Sequence, residues 1–400
     1  MNQGSLNPQK SGDTDQQPDP ATVIRQERLE ARDEVDEVAP GVLRIQIPIM
    51  LPGLGHVNCY VLEDDRGATI IDPGLPDPVS AGVLSDRLGS IGLPLSRIHT
   101  VFVTHSHPDH FGGAGRLKVE HHCEVVAHDD FATPFDPQPV DAELTELPLA
   151  QDGPDFSSDP GGLPPVGDGR VNEGLAAVLF GDGPIPEIPA RSTPYGEDGF
   201  RPEPGELEWM RSWDSLSKKG LLSLEPTTRV SDQQWLRMGG RDWQAIHTPG
   251  HTGDHLCLWD PESGVLLSGD HVLPTITPHI SGLTVSSDSL ADFVAALRRV
   301  AALEGVEMVL PAHGLPFTDL PGRVEEIVEH HDQRLERLRG IAAGLGTAGV
   351  RAFSHELFQE RSWGPMAESE TYAHLEHLRL AGRMTRSSDD RGRFVYTLVD

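Results

Sequence analysis

The sequence predicts a mixed α/β fold, and three observations carry that reading. Short apolar runs of strand length recur before residue 129 and after residue 232, with turn residues between them. Helical stretches separate groups of these runs, the alternation expected of sheets covered by helices. Histidines and aspartates stand just past the apolar runs, where a sheet places its functional loops.

The elements follow in order. Residues 1–38 are polar, acidic and rich in Gln and Pro, and predict a disordered tail, with a short charged helix near 24–37 as the alternative. The first twenty residues contain no apolar core of a signal peptide, and no run of 18 apolar residues exists anywhere, so a cytoplasmic protein with no membrane span is expected. A main domain is expected over 39–320. VLRIQIPI, CYVLED and ATIID read as strands, residues 79–91 as a weak helix, and HTVFVTHSH as a strand. FGGAGRLKVE reads as a helix and CEVVAH as a further strand.

Residues 129–232 break the pattern, holding 15 of the 34 prolines and 21 acidic against 7 basic residues. A structureless loop of that length is uncommon inside a compact domain. An inserted Pro-rich acidic segment is therefore expected, with a little helix at 207–218, that is a lid, a dimer arm or partly disordered. Trp209, Trp213 and Trp235 either form its small core or line a substrate pocket. Strands resume at WLRMG, WQAIHTPGH, HLCLWD and GVLLSGDHV, then a helix near 290–303 and the strand VEMVLPAHG. Residues 321–400 predict three helical stretches and a closing strand, RFVYTLV, together a winged-helix-like domain.

Composition excludes some functions. With 62 acidic and 32 basic residues the formal charge is −30, which repels polyanions and disfavours broad nucleic-acid binding. The three cysteines, Cys59, Cys123 and Cys257, are scattered through apolar runs and read as buried hydrophobes rather than a disulfide or zinc framework.

The decisive pattern is THSHPDH at 104–110. Alternation along an extended chain puts His105 and His107 on one side, and Pro108 then turns the chain so that Asp109 and His110 approach from another direction. Imidazole and carboxylate are the ligands Zn²⁺ takes. Three later sites follow apolar strands beside glycines: HTPGH ending at His251, SGD ending at Asp270 and PAH ending at His313.

This set resembles the signature of the metallo-β-lactamase superfamily, H-x-H-x-D-H followed by H, D and H. The resemblance covers about residues 40–128 and 233–320. It implies an αβ/βα sandwich with two metal ions at one edge, zinc first, with iron or manganese as alternatives. It assigns His105, His107 and His251 to the first ion and Asp109, His110 and His313 to the second, with Asp270 bridging. β-Lactamases with two zincs commonly carry Cys where this chain has Asp270, and they lack a ligand like His110, so β-lactam hydrolysis is disfavoured. The pattern is closer to hydroxyacylglutathione hydrolases and RNase Z-type enzymes. HTPGHTGDH, HHDQRLERLRGI and the closing wing also resemble a small lactamase-like endoribonuclease subgroup, from which the acidic insertion departs.

The expected chemistry is hydrolysis by a metal-bridging hydroxide, with Asp109 and Asp270 as catalytic ligands, on a small ester, thioester or related acyl substrate. Alternatives are a phosphodiesterase or endoribonuclease acting on RNA, an iron-dependent sulfur dioxygenase, and a non-catalytic scaffold. A small-molecule substrate and a homodimer are the expected partners. His255 is the candidate proton donor or substrate contact, with His271 beside it. Asp72 either orients a ligand imidazole or caps its own turn. His56 and His279 are weaker candidates, and His121 and His122 read as exposed.

Overall fold

In the computed structural model the described residues are 25–133 (except 50 and 52), 193–195 and 221–399. The helix expected at 207–218, with Trp209 and Trp213, lies outside them, as do residues 1–24.

Seven strands form the first sheet in sequential order: β1 (Asp36–Ala39), β2 (Val42–Pro48), β3 (His56–Asp64), β4 (Gly67–Ile71), β5 (Ile98–Phe102), β6 (Glu124–His128) and β7 (Thr228–Val230). The first four are antiparallel neighbours and the rest pair in parallel. Parallel pairing needs crossovers, and helices α1 (Pro78–Ser90), α2 (Pro108–Phe111) and α3 (Ala114–His121) lie on them. Asp77 caps α1 by accepting from the Val79 and Ser80 amides, with Pro78 at the first helical position.

The second sheet has the order β12-β11-β10-β9-β8, from β8 (Trp235–Met238), β9 (Arg241–His247), β10 (Leu256–Asp260), β11 (Val265–Gly269) and β12 (Met308–Pro311). Helix α4 (Ser289–Ala301) crosses from β11 to its parallel neighbour β12.

Period-two alternation on strands with both faces buried builds three cores. On β3, Val57, Cys59 and Val61 face α1 and α3, meeting Leu84, Leu88 and Leu117. Tyr60 and Leu62 face the other sheet, joining Phe102, Trp243, Leu256, Leu258 and Leu267. On the far side Cys257, Trp259 and Leu266 pack under Phe293 and Leu297 of α4. The order is helix, sheet, sheet, helix, as the sequence predicts. All three cysteines are buried and unpaired.

Beyond β12 the chain forms α5 (Leu320–Leu345), β13 (Ala348–Gly349), α6 (Val350–Leu357), α7 (Pro365–Leu380), β14 (Met384–Ser388) and β15 (Phe394–Leu398). The strands make a small antiparallel sheet, and Phe353, Leu375 and Tyr396 centre a separate core. α5 and α7 also pack on the main domain, through Val324, Ile327 and Ala373. Among the described residues no helix is long and apolar enough to cross a membrane.

Two boundaries are corrected. The tail does not extend to residue 38: a 3-10 turn, Gln26–Arg28, docks on the main domain with Glu27 fully buried, and β1 joins the sheet. The insertion does not extend to 232: Leu221, Leu222 and Leu224 enter the first core and β7 completes the first sheet. Trp235 sits on the edge strand β8 and is half exposed.

Candidate metal centre

The site lies where strands of both sheets end. β5 is buried between parallel neighbours and releases the chain at Val103. Pro108 starts α2, so Asp109 and His110 lie on its single turn while His105 and His107 stay on the extended approach. His251 follows β9, Asp270 follows β11, and His313 follows β12. All seven expected ligands come together in two groups, His105, His107, His251 and Asp270 in one and Asp109, His110 and His313 in the other.

Distances place Asp270 between the groups. Its Oδ2 lies 3.5 Å from His251 Nε2 and 3.6 Å from His110 Nε2, and its Oδ1 lies 3.3 Å from His313 Nε2. Asp109 Oδ2 is 3.6 Å from His110 Nε2 and 3.5 Å from His313 Nε2. His107 Nδ1 is 3.1 Å from both His105 Nε2 and His251 Nε2.

The outer nitrogens decide what the inner ones present. Thr104 gives its hydroxyl proton to Asp72, 2.8 Å away, so His105 Nδ1 donates to Thr104 Oγ1 at 3.0 Å. His110 Nδ1 donates to Asp72 Oδ2 at 2.9 Å, His251 Nδ1 to the His279 carbonyl at 2.8 Å, and His313 Nδ1 to the His56 carbonyl at 2.7 Å. Each ring is thereby fixed in orientation, and in its neutral form carries a lone pair on its inner Nε2. The inner nitrogens of His110 and His313 and Asp270 Oδ1 are buried without a hydrogen-bond partner. Convergent lone pairs and carboxylate oxygens repel one another, and cations satisfy them. The donor set therefore fits borderline divalent metals such as zinc.

The electrostatics agree. Burial, reinforced by neighbouring imidazoles, holds His105 and His107 well below the ordinary histidine value, and burial also lowers His251. These three stay neutral, the form that ligates. Burial opposes charge on His110 and His313 too, yet the Asp109 and Asp270 carboxylates raise both. Asp270 is held well below the carboxylate range against its own burial, by His313 and His110. Negative charge at the centre thus dominates its desolvation.

Asp72 orients the side chains of Thr104 and His110. Leaving β4, it adopts φ +56°, a left-handed conformation that Asp tolerates better than most residues. There it accepts from the Thr104 amide at 2.9 Å as well as from the Thr104 hydroxyl and His110.

His255 takes a role other than the expected proton donor. It is fully buried, its Nδ1 donates to Thr248 Oγ1 at 2.7 Å, and its Nε2 accepts the Asp270 amide at 3.0 Å. Both nitrogens are committed, and burial holds it well below the usual histidine value, so it positions Asp270. Gly269, at φ +51°, permits this approach, since a Cβ there would meet His255 Nε2 at 2.5 Å. His271 turns from the cluster, its ring 5.1 Å from Phe293, and burial lowers it to about 3. His279 contributes its carbonyl to His251, while its Nδ1 lies 3.6 Å from Glu370 on α7. His122 caps α3 and is exposed, and His121 is half-buried.

Comparison with known proteins places the chain in a family. Residues 52–313 match the metallo-beta-lactamase superfamily. The chain is 32% identical over 133 residues to the lactamase-like protein aptB of Emericella nidulans, a match covering 32% of this chain and 40% of that one. It is 35% identical over 123 residues to the lactamase-like protein vrtG of Penicillium aethiopicum, covering 30% and 38%. The chain thus spans about two-fifths of the length of these relatives. In three dimensions it is similar to a metallo-beta-lactamase family protein from Thermus thermophilus, with TM-score 0.66, 24% identity, and coverage of 91% and 100% of the two chains. A beta-lactamase domain protein from Burkholderia ambifaria gives TM-score 0.64 and 24% identity, covering 95% and 98%. The chain belongs to the metallo-beta-lactamase superfamily.

Proposed function

We propose that the chain is a binuclear hydrolase of small acyl compounds, esters or thioesters, with zinc at both positions. The observation that carries the binuclear reading is the commitment of four outer imidazole N–H groups, which turns four inner nitrogens toward Asp270 and Asp109, those of His110 and His313 with no hydrogen-bond partner. His105, His107 and His251 would hold one cation, Asp109, His110 and His313 the other, and Asp270 both.

Bound there, a pair of cations supplies an acidified water and a polarised substrate oxygen at neutral pH. The chain's own residues supply the rest. Asp72 and the His56 and His279 carbonyls hold the rings in place. His255 holds the Asp270 backbone, so its carboxylate stays between the two groups. All of the ligands but the half-buried His107 are buried, and exclusion of bulk water strengthens each of these interactions.

The acyl reading rests on charge. A chain of net charge −30 gives a polyanionic substrate no long-range attraction, whereas a small neutral or thioester substrate needs none. The test is turnover of ester, thioester and RNA panels by zinc-loaded enzyme. Expected is acyl hydrolysis that is lost on chelation, returns with zinc, and falls at least ~10³-fold in Asp270→Asn. RNA cleavage without acyl hydrolysis, or acyl hydrolysis indifferent to chelation, overturns the reading.

A further inference from the structure

Three residues of β3 that share a face, His56, Asn58 and Tyr60, all reach across to the loop that carries His313. Asn58 Nδ2 donates to the Pro311 carbonyl at 2.8 Å and the Gly314 carbonyl at 2.9 Å. Its amide donates to the Ala312 carbonyl at 2.7 Å. The Tyr60 hydroxyl donates to the Pro311 carbonyl at 2.7 Å. His56 Nε2 accepts the Gly314 amide at 3.1 Å, and the His56 carbonyl accepts His313 Nδ1. Every residue from 311 to 314 is therefore tied to one strand of the opposite sheet, and His56, Asn58 and Tyr60 are all buried.

That strand face is itself locked from the N-terminal side. The Leu29 carbonyl accepts His56 Nδ1 at 2.8 Å, which fixes the ring so that its Nε2 can receive Gly314. The Arg32 amide donates to Gln46 Oε1 at 3.0 Å, and Gln46 Nε2 donates to Asn58 Oδ1 at 3.1 Å, so the Asn58 amide group is turned toward the His313 loop. Glu27, fully buried, accepts the Thr275 amide at 2.7 Å and the Ile276 amide at 3.1 Å, and its carbonyl accepts the Gly55 amide at 2.8 Å. A Cβ on Gly55 would sit 2.2 Å from the Leu29 carbonyl, so the segment lies flush against β3.

His313 belongs to the group with Asp109 and His110. The other group draws its outer hydrogen bonds from Thr104 and the His279 carbonyl, and neither of these bonds to His56, Asn58 or Tyr60. We propose that the His56–Asn58–Tyr60 face, clasped by residues 25–32, is the positioning device for His313, and that it sets the affinity of the second cation position independently of the first. The inference rests on the binuclear reading.

The experiment is a zinc titration of chelator-stripped, full-length protein, followed by competition with a chromophoric chelator. His313→Ala marks the isotherm of a chain with the second position disabled. Asn58→Leu keeps the volume but cannot donate, and Glu27→Ala opens the clasp from outside both sheets. Expected is that each variant loses about 10- to 100-fold at the second position and keeps the first, approaching the His313→Ala isotherm. Circular dichroism and thermal melts of the zinc-free proteins accompany each titration. Equal weakening of both positions, wild-type affinity at the second, or a loss matched by collapse of the zinc-free fold in both variants overturns the proposal. Wild-type protein that takes up fewer than two zinc ions sinks the binuclear reading instead.

Discussion

At the scale of single residues, the centre depends on where protons are placed. Asp72 accepts three hydrogen bonds from a left-handed conformation, and two of them reach Thr104 and His110 side chains. Asp72→Ala should destabilise the zinc-free protein by on the order of 3 kcal/mol, because it orphans buried donors and puts Ala at positive φ. Asp72→Asn should cost far less, since Asn tolerates that conformation, yet its amide can present an N–H to His110 and weaken cation binding. Denaturant melts in chelator, paired with zinc titration, separate the two effects. Equal stability loss in both variants would refute the conformational part. The seven candidate ligands were legible because they follow apolar strands in an order that resembles the family signature. The role of His255 was not, because a histidine that accepts from a backbone amide leaves no trace in the sequence. Asn58 and Glu27 were missed because their partners lie about 250 residues away, at Pro311, Gly314 and Thr275.

At the scale of elements, strands with both faces buried read well from their apolar runs, and so did the amphipathic α4. The failures are short or edge elements. β7 has three residues inside a Pro-rich acidic stretch, and only its pairing with β6 identifies it. β1 follows a charged run and pairs through a bulge, so neither alternation nor composition marks it. The α5–α7 contact contains a buried pair with a pH consequence. His331 Nδ1 donates to His374 Nε2 at 3.0 Å, and His374 Nδ1 donates to the Glu370 carbonyl at 2.7 Å. Burial lowers His374 to about 4, and burial with the neighbouring His374 lowers His331 to about 2. Both folded values lie below the unfolded value near 6.5. Their contribution is therefore complete above that pH and is lost as pH falls toward 4. For His374 the loss amounts to about 3 kcal/mol. Stability measured by urea should fall between pH 6.5 and 4, and His374→Gln should flatten that fall. An unchanged slope would show that the pair does not titrate in this way.

At the scale of the whole molecule, alternating strands and helices marked a mixed α/β fold, while the order of layers and the place of the centre were legible only through the family that the histidine–aspartate pattern resembles. The segment between β6 and β7 was legible in its composition but not in its bounds, since Leu221, Leu222 and Leu224 are core residues that sit beside prolines and acids. Each group of ligands takes members from both halves of the chain: His105 and His107 with His251 and Asp270, and Asp109 and His110 with His313. A cation bound to either group is thus a staple between two polypeptide halves. Cutting the chain between residues 134 and 192 should give fragments that complement each other, with zinc tightening their association. If zinc binds only the assembled pair, a hundredfold excess over its dissociation constant adds about 2.7 kcal/mol, roughly a hundredfold in fragment affinity. Fragment association measured with zinc and with chelator checks this, and equal affinity in both would refute it. A hydrolase divided in this way would report the presence of zinc by coming together, its substrate turnover serving as the signal.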